Sequence, residues 1–435
     1  MAESLIPPLP VVPQSLHAAN ERAVKAARAI AATFVHWTGI ALQIVVAVAV
    51  LYMAATAVRI YARRYYIFLP AYVHDAFTAA LVSTGRPTHV FFLFVDHFEP
   101  DWDASRAERW ASRYRALAAR HHDSAGRPPQ HSWFYPGEQA DAAILTVLQG
   151  LMKDGLGEVE FHYHHGGDTA STLAPKLREA IAQFQAFGFA KTIAGRTAFA
   201  FVHGNEDLDN ADGEYCGVNN ELQLLHELGC FADFTFPALY HASQPPSVNN
   251  IYAARDDDQP GSYRRVWPLA ALKRGDADLM IFQGPIVLAP TWNLRRLFVE
   301  VDDGNVHAAM PANAERVRRW VSARVHVEPR PDWIFVKVFA HGVSTPEDEE
   351  ELLGGNFDSA LTALEIGYND GLQYVLHYVT AREAYNLAMA AASGATGEPS
   401  KYFDSEIPPY VASVTRPGAP GLQNSPEPIS RFRSP

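Results

Sequence analysis

Two hydrophobic patterns divide this chain. From Ala29 to Val58 there is no Asp, Glu, Lys or Arg, and the core GIALQIVVAVAVLYMAATAV is apolar on every side rather than on one stripe. About 20 such residues in a helix cross a hydrocarbon core. The run is longer than a signal-peptide apolar region and leads into RIYARRYY, with Arg59, Arg63, Arg64 and three tyrosines suited to an interface, rather than into a small-residue cleavage site. We therefore expect one uncleaved membrane helix at 29–58, a flexible arm at 1–28 carrying Pro7, Pro8, Pro10 and Pro13, and a juxtamembrane linker at 59–85. Arg22, Lys25 and Arg28 before the run balance Arg59, Arg63 and Arg64 after it, so the charge rule leaves the orientation open.

From Arg86 onward short apolar runs alternate with helical periodicity. HVFFLFVD (89–96) is a near-continuous apolar strand of the kind buried on both faces of a parallel sheet. HSWFY (131–135), EVEFH (158–162), AFAFVH (198–203), CFADFTF (230–236), DLMIFQG (278–284) and WIFVKVFAH (333–341) repeat the pattern, and QYVLHYV follows. Between them lie helical segments. One has Ser105 and Glu108 as a capping box; another runs through Leu173, Leu177, Ile181 and Phe184 to Gly188; a third spans Asn219–Leu228; the last opens on Thr380 and Glu383. Seven or eight strand–helix repeats predict an α/β fold, a parallel barrel at 86–393, with an open doubly wound sheet as the alternative. The proline-rich end, 394–435, reads as a tail.

In such a fold chemistry gathers at the carboxyl ends of the strands. The first predicted strand ends in Asp96-His97. The third ends in His162, followed by His164 and His165; the fourth ends in His203, and the seventh in His341. His162 and His164 share one side of an extended chain. Imidazoles and carboxylates together suit a divalent metal such as zinc. The turn after the fourth strand holds Asn205, Glu206 and Asp207, able either to bind sugar hydroxyls or merely to shape a loop. Tyr135, with Trp102 and Trp133, could stack on a sugar ring or pack a core.

These residues resemble the polysaccharide deacetylases (carbohydrate esterase family four) over roughly Arg86 to Gly342. FVDH (94–97), SWFYPGE (132–138), HYHH (162–165) and FAH (339–341) fall in the order of that family's T-F-D-D, T-F-F-x-x-G, H-[S/T]-x-x-H and L-x-H motifs. The resemblance implies a membrane-linked bacterial branch. It makes Asp96 the general base, His341 the general acid, and His97, His162, His164 and His165 the metal-ligand candidates. Tyr135, His203, Asn205, Glu206 and Asp207 are the substrate-binding candidates, the last three standing where the family has an arginine-proline motif that is absent here. His97 stands where the family has a second Asp, and Gly166 where it has its second His. The implied activity is metal-dependent removal of acetyl groups from an exopolysaccharide or other envelope glycan, at the bacterial inner membrane. The glycan substrate favours the periplasmic face. Two other readings are a glycosidase-like pair drawn from Asp96, Glu99 and Asp101, needing carboxyls about 5–9.5 Å apart, and a non-catalytic barrel that binds polysaccharide or supports its export.

Composition narrows the partners. With 36 Lys+Arg against 48 Asp+Glu, the net charge of −12 argues against nucleic acid. No glycine-rich dinucleotide loop or P-loop follows any strand, which argues against nucleotide. The two cysteines, Cys216 and Cys230, flank a predicted helix about 16 Å long, too far for a disulfide, so free buried thiols are expected.

Overall fold

The computed structural model describes residues 14–79, 86–193 and 195–410, and it separates into two units, 1–62 and 63–435. In the first unit, helix α1 (Gln14–Ala62) runs for 49 residues. It begins immediately after Pro13 and extends well beyond the expected 29–58, so residues 14–28 are helical rather than a flexible arm. Residues 1–13 lie outside the described residues. The helix is long and apolar enough to cross a membrane, and none of its most apolar window is buried. The expected linker is largely structured too. A 3₁₀ turn at Tyr65–Ile67 and helix α2 (Leu69–Ala79) follow α1, and Tyr65 and Phe68 are buried.

The second unit is a mixed α/β fold around a parallel-rich sheet. Eight strands run parallel to a neighbour: β1 (Thr88–His97), β2 (His131–Pro136), β3 (Gly157–Tyr163), β4 (Arg196–His203), β5 (Cys230–Asp233), β6 (Leu279–Phe282), β7 (Arg330–Ala340) and β8 (Tyr374–Tyr378). Their order is β7-β1-β2-β3-β4-β5-β6, with β8 beside the first half of β1. The order advances one neighbour at a time and shows no reversal of the kind that marks a doubly wound sheet. Antiparallel strands border both ends, Ile251–Ala254 on β6 and His326–Val327 on β7. A single bridge, Asn250 to His326, links those borders among the described residues.

One face of the sheet is covered by amphipathic helices. They include α3 (Ala104–Ala118), α4 (Ala142–Lys153), α5 (Ala170–Ala186) and α6 (Glu221–Leu228). The N-cap of α3 is Asp103, whose carboxylate accepts from Arg106 N; the expected Ser105–Glu108 box does not form. Helix α5 ends as expected before Gly188, which adopts φ +80°. The short α7 (Ala270–Arg274), then α8 (Ala314–Ser322), α9 (Pro346–Leu353) and α10 (Asn356–Tyr368), complete the outer elements.

Helix α11 (Ala381–Ala392) opens on the expected Thr380–Glu383 capping box, and every residue from Ala381 to Ala391 is buried. It lies on the other sheet face, touching β1, β3, β4 and β7. Its first turn is fixed there: Ser132 Oγ accepts from Ala381 N at 2.8 Å, and Arg382 donates to Glu158 at 2.8 Å. The expected tail is partly core. Phe403, Ile407 and Tyr410 are buried, and the Tyr410 hydroxyl donates to Glu160; residues 411–435 lie outside the described residues. Along β3, Glu158, Glu160 and His162 therefore share one face, tied in turn to α11, to Tyr410, and to the histidine cluster at the strand's end. Cys216 and Cys230 are free and buried.

Candidate metal centre

At the carboxyl ends of β1, β3 and β7, on the α11 face, four of the expected histidines come together. The His97 ring lies near those of His341 (centroids 4.6 Å, tilted) and His162 (5.0 Å, edge to face). His162 Nε2 lies 3.3 Å from His164 Nε2. The group gains a carboxylate that had figured only in the glycosidase alternative. Glu99 Oε1 is 3.0 Å from His162 Nε2 and 3.5 Å from His164 Nε2. His97, Glu99 and His162 each offer one ligand atom, and the three atoms lie within 4.8 Å of one another. Phe98 completes the apolar run, and the chain then turns so that Glu99 reaches back over His162.

The chemistry of this donor set fits a divalent ion. Two ligands at 2.0–2.1 Å in tetrahedral geometry stand about 3.3 Å apart, close to the 3.0–3.5 Å triangle formed by Glu99, His162 and His164. Glu99 Oε1 is buried and has no aligned hydrogen-bond donor despite these neighbours. A buried carboxylate oxygen in that position is costly unless a cation meets it. Burial, reinforced by the neighbouring imidazoles of His341 and His162 and by Lys337, holds His97 well below the ordinary imidazole range. Burial also holds His162 down, against the pull of Glu99. Both shifts favour the neutral form that a metal ligand needs. Burial raises Glu99, but His162 and the surrounding imidazoles outweigh it and leave the carboxyl below its usual value.

Two residues with no expected role support the cluster. Glu138, in the turn after β2, lies 2.5 Å from His164 Nδ1, the carboxylate–histidine contact that orients metal-binding imidazoles. Burial lowers His164, yet contact with Glu138 and the charge of Glu99 raise it overall. Gly204 makes room for the ring: a Cβ there would fall 2.3 Å from His164 Cδ2. Glu138 lies within the quoted SWFYPGE stretch, but nothing in its spacing announces that it reaches His164.

Other expected residues sit elsewhere. Asp96 is fully buried on the face opposite His97, as alternation along a strand requires. Its carboxylate accepts from Gly342 N at 2.8 Å and pairs with His131 Nε2 at 3.0 Å, so it is not placed to act as the base of this cluster. His165 turns away from His164 and lies 2.9 Å from Glu221, beside His203. Tyr135 is fully buried, donates to Gln139 O and packs near Phe184, away from the cluster. Trp133 is likewise buried in the outer core. Asn205 donates to His165 O and Tyr215 O, and Asp207 accepts from the amides of Asp212 and Tyr215. Both shape the loop. Glu206 is mostly buried, and burial followed by the charge of Asp303 pushes it up to about 7. Asp101 is exposed and pairs with Arg106. With Asp96 and Glu99 on different faces and Asp101 exposed, the three expected carboxylates do not flank a common point.

No family model matches the chain, and no curated protein matches it. Among solved structures it is similar to the 4-alpha-glucanotransferase from Thermococcus litoralis, at 11% identity and a TM-score of 0.37, over 67% of this chain and 39% of that one. The match thus spans about two fifths of that chain, and at this TM-score it carries no argument about fold or function.

Proposed function

We propose that this chain is a membrane-anchored, divalent-metal-dependent hydrolase that removes acetyl groups from an envelope glycan. The observation that carries the reading is the triangle of Glu99, His162 and His164, with a buried carboxylate oxygen lacking any aligned donor. The glycan and the acetyl group rest on the motif resemblance to the polysaccharide deacetylases. We read the sheet as a parallel barrel closing through the Asn250–His326 bridge, and α1 as a single span of a bacterial inner membrane with the larger unit on the periplasmic side.

Glu99, His162 and His164 would hold the ion, zinc being the best match to these donors, and His97 brings a ligand atom within 4.8 Å of those of Glu99 and His162. A divalent ion there supplies positive charge that polarises an acyl carbonyl and acidifies water. Glu138 fixes the His164 ring. His341, half-buried beside His97, carries a proton to the leaving amine or alcohol.

The test is metal content and acetate release by the full-length protein in mild detergent, over a panel of N- and O-acetylated glycans. His162→Ala should lose acetate release and the metal of this cluster. His341→Ala should keep the metal and lose acetate release about 10²-fold or more. Wild-type protein with no metal overturns the centre; metal bound here without acetate release from any glycan overturns the deacetylase assignment.

A further inference from the structure

A second group of metal-ligating side chains lies apart from the proposed hydrolytic centre. His203 ends β4 and pairs in register with Tyr163, on the sheet face opposite His162. Around it gather His165 from the loop after β3, Cys216 from the long 204–220 segment, and Glu221, the first residue of α6. Their exposures are 0% for His203, Cys216 and Glu221 and 7% for His165. One ligand atom from each lies within 4.8 Å of all the others. His165 Nε2 is 2.9 Å and His203 Nε2 3.8 Å from Glu221 Oε1, and Cys216 Sγ is 3.4 Å from Glu221 Oε2.

Two features say that a cation belongs among them. His203 Nε2 is buried, faces the group, and has no hydrogen-bond partner. The Glu221 carboxylate is fully buried, and its ion-pair partners among the described residues are these two histidines. A buried anion without a cation is expensive.

We propose that His165, His203, Cys216 and Glu221 form a closed structural zinc site that ties the loops after β3 and β4 to the start of α6. One sulfur, two imidazole nitrogens and one carboxylate oxygen make a four-ligand set for tetrahedral zinc. With all four buried, no position stays open to substrate, which separates this site from the first. Capture of the ion displaces the Cys216 thiol proton to solvent. It also moves the ring protons of His165 and His203 from Nε2 to Nδ1, so His165 gives up its bond to Glu221 for the ion, and the Asn205 backbone amide, which donates to His203 Nδ1 at 3.2 Å, gives up that bond. The four ligands span 165–221 in sequence, and the segment they pin carries Gly204, the residue packed against His164. The site therefore also steadies one wall of the hydrolytic centre.

The first cluster contains no cysteine, which makes the two sites separable by spectroscopy. The full-length protein in detergent is prepared with Co²⁺ in place of zinc. A thiolate-to-cobalt charge-transfer band should appear in the wild type, persist in His162→Ala, and vanish in Cys216→Ser. Zinc content should be about two equivalents per chain in the wild type and about one in His162→Ala, and a chelator should lower the Tm of His162→Ala, because a structural ion is coupled to folding. If Cys216→Ser does not fold, the zinc content and cobalt band of His162→Ala decide alone. No band in the wild type, or no zinc in His162→Ala, overturns the second site. Wild-type protein that shows the band but releases no acetate from any glycan would count against the hydrolytic centre only.

Discussion

Replacing Asp96 separates two accounts of the first strand's end. In the deacetylase pattern this residue is the base beside the metal. Here it lies on the opposite face, accepting from Gly342 N at 2.8 Å and pairing with His131 Nε2 at 3.0 Å. Asp96→Ala strands both donors in a site of zero exposure. Each buried unsatisfied donor costs roughly 1–3 kcal/mol, so the loss should be about 2–6 kcal/mol. That is a large share of a typical total of about 5–15 kcal/mol. Asp96→Asn keeps the shape and the acceptor for Gly342 N, and His131 can accept from the new amide after a tautomer change. Its cost should be about 1 kcal/mol. Denaturant midpoints of the full-length protein in detergent, measured with metal content, provide the assay. Both variants should bind metal once folded. Acetate release should fall more in Asp96→Ala, because the freed Gly342 amide adjoins His341. If Asp96→Asn loses metal with an unchanged midpoint, the carboxylate belongs to the metal centre and the alternation argument is refuted.

Further outcomes follow from the same geometry. Glu138→Gln should weaken metal binding at the first centre by about 10–100-fold, measured by competition with a chelating dye, since it loosens the His164 ring. Gly204→Ala should also weaken it, with Tm little changed, because the new Cβ displaces that ring; unchanged affinity would mean that His164 is not a ligand. Glu206 has a folded value of about 7 against an ordinary 4.5. The native state therefore holds an extra proton between these values, and the stability it contributes is present below pH 4.5 and lost as pH rises through about 7. Glu206→Gln should remove that slope and gain ~1–3 kcal/mol over the wild type at pH 8, read from urea midpoints at several pH values. The full-length chain should stay with membranes through alkaline carbonate washing, whereas residues 63–435 alone should be soluble with an unchanged midpoint; release of the full-length chain would rule out α1 as a span.

Strand positions were legible because β1 to β7 are short apolar runs bounded by turns, and a parallel sheet buried on both faces demands such runs. The histidine-rich end was legible for the same reason, since polar residues there stand out. The partition of those residues between faces follows from the two-residue period, which sets Asp96 against His97 and His164 against His165; the family pattern pulled both pairs together and obscured it. Glu99 and Glu138 reach the cluster from turns, and turn geometry over several residues is a tertiary outcome. The buried part of the tail is hidden in the sequence because its prolines dominate the composition, while Phe403, Ile407 and Tyr410 are too widely spaced to show a period.

The position of β1 has a consequence for the order of events during synthesis. It is the first strand of the sheet to be made, yet its partners are Trp333–Ala340 on β7 and Tyr374–Tyr378 on β8, more than two hundred residues later in the chain. At roughly 5–20 residues per second, an apolar strand waits tens of seconds for its neighbours. Through that interval β1 has one early partner, β2, and its other edge lies open to aggregation. If α1 spans the membrane as proposed, the nascent chain is tethered while it waits. Holding each chain apart from its neighbours during this slow, long-range closure would then be a service of the anchor to folding as well as to placement.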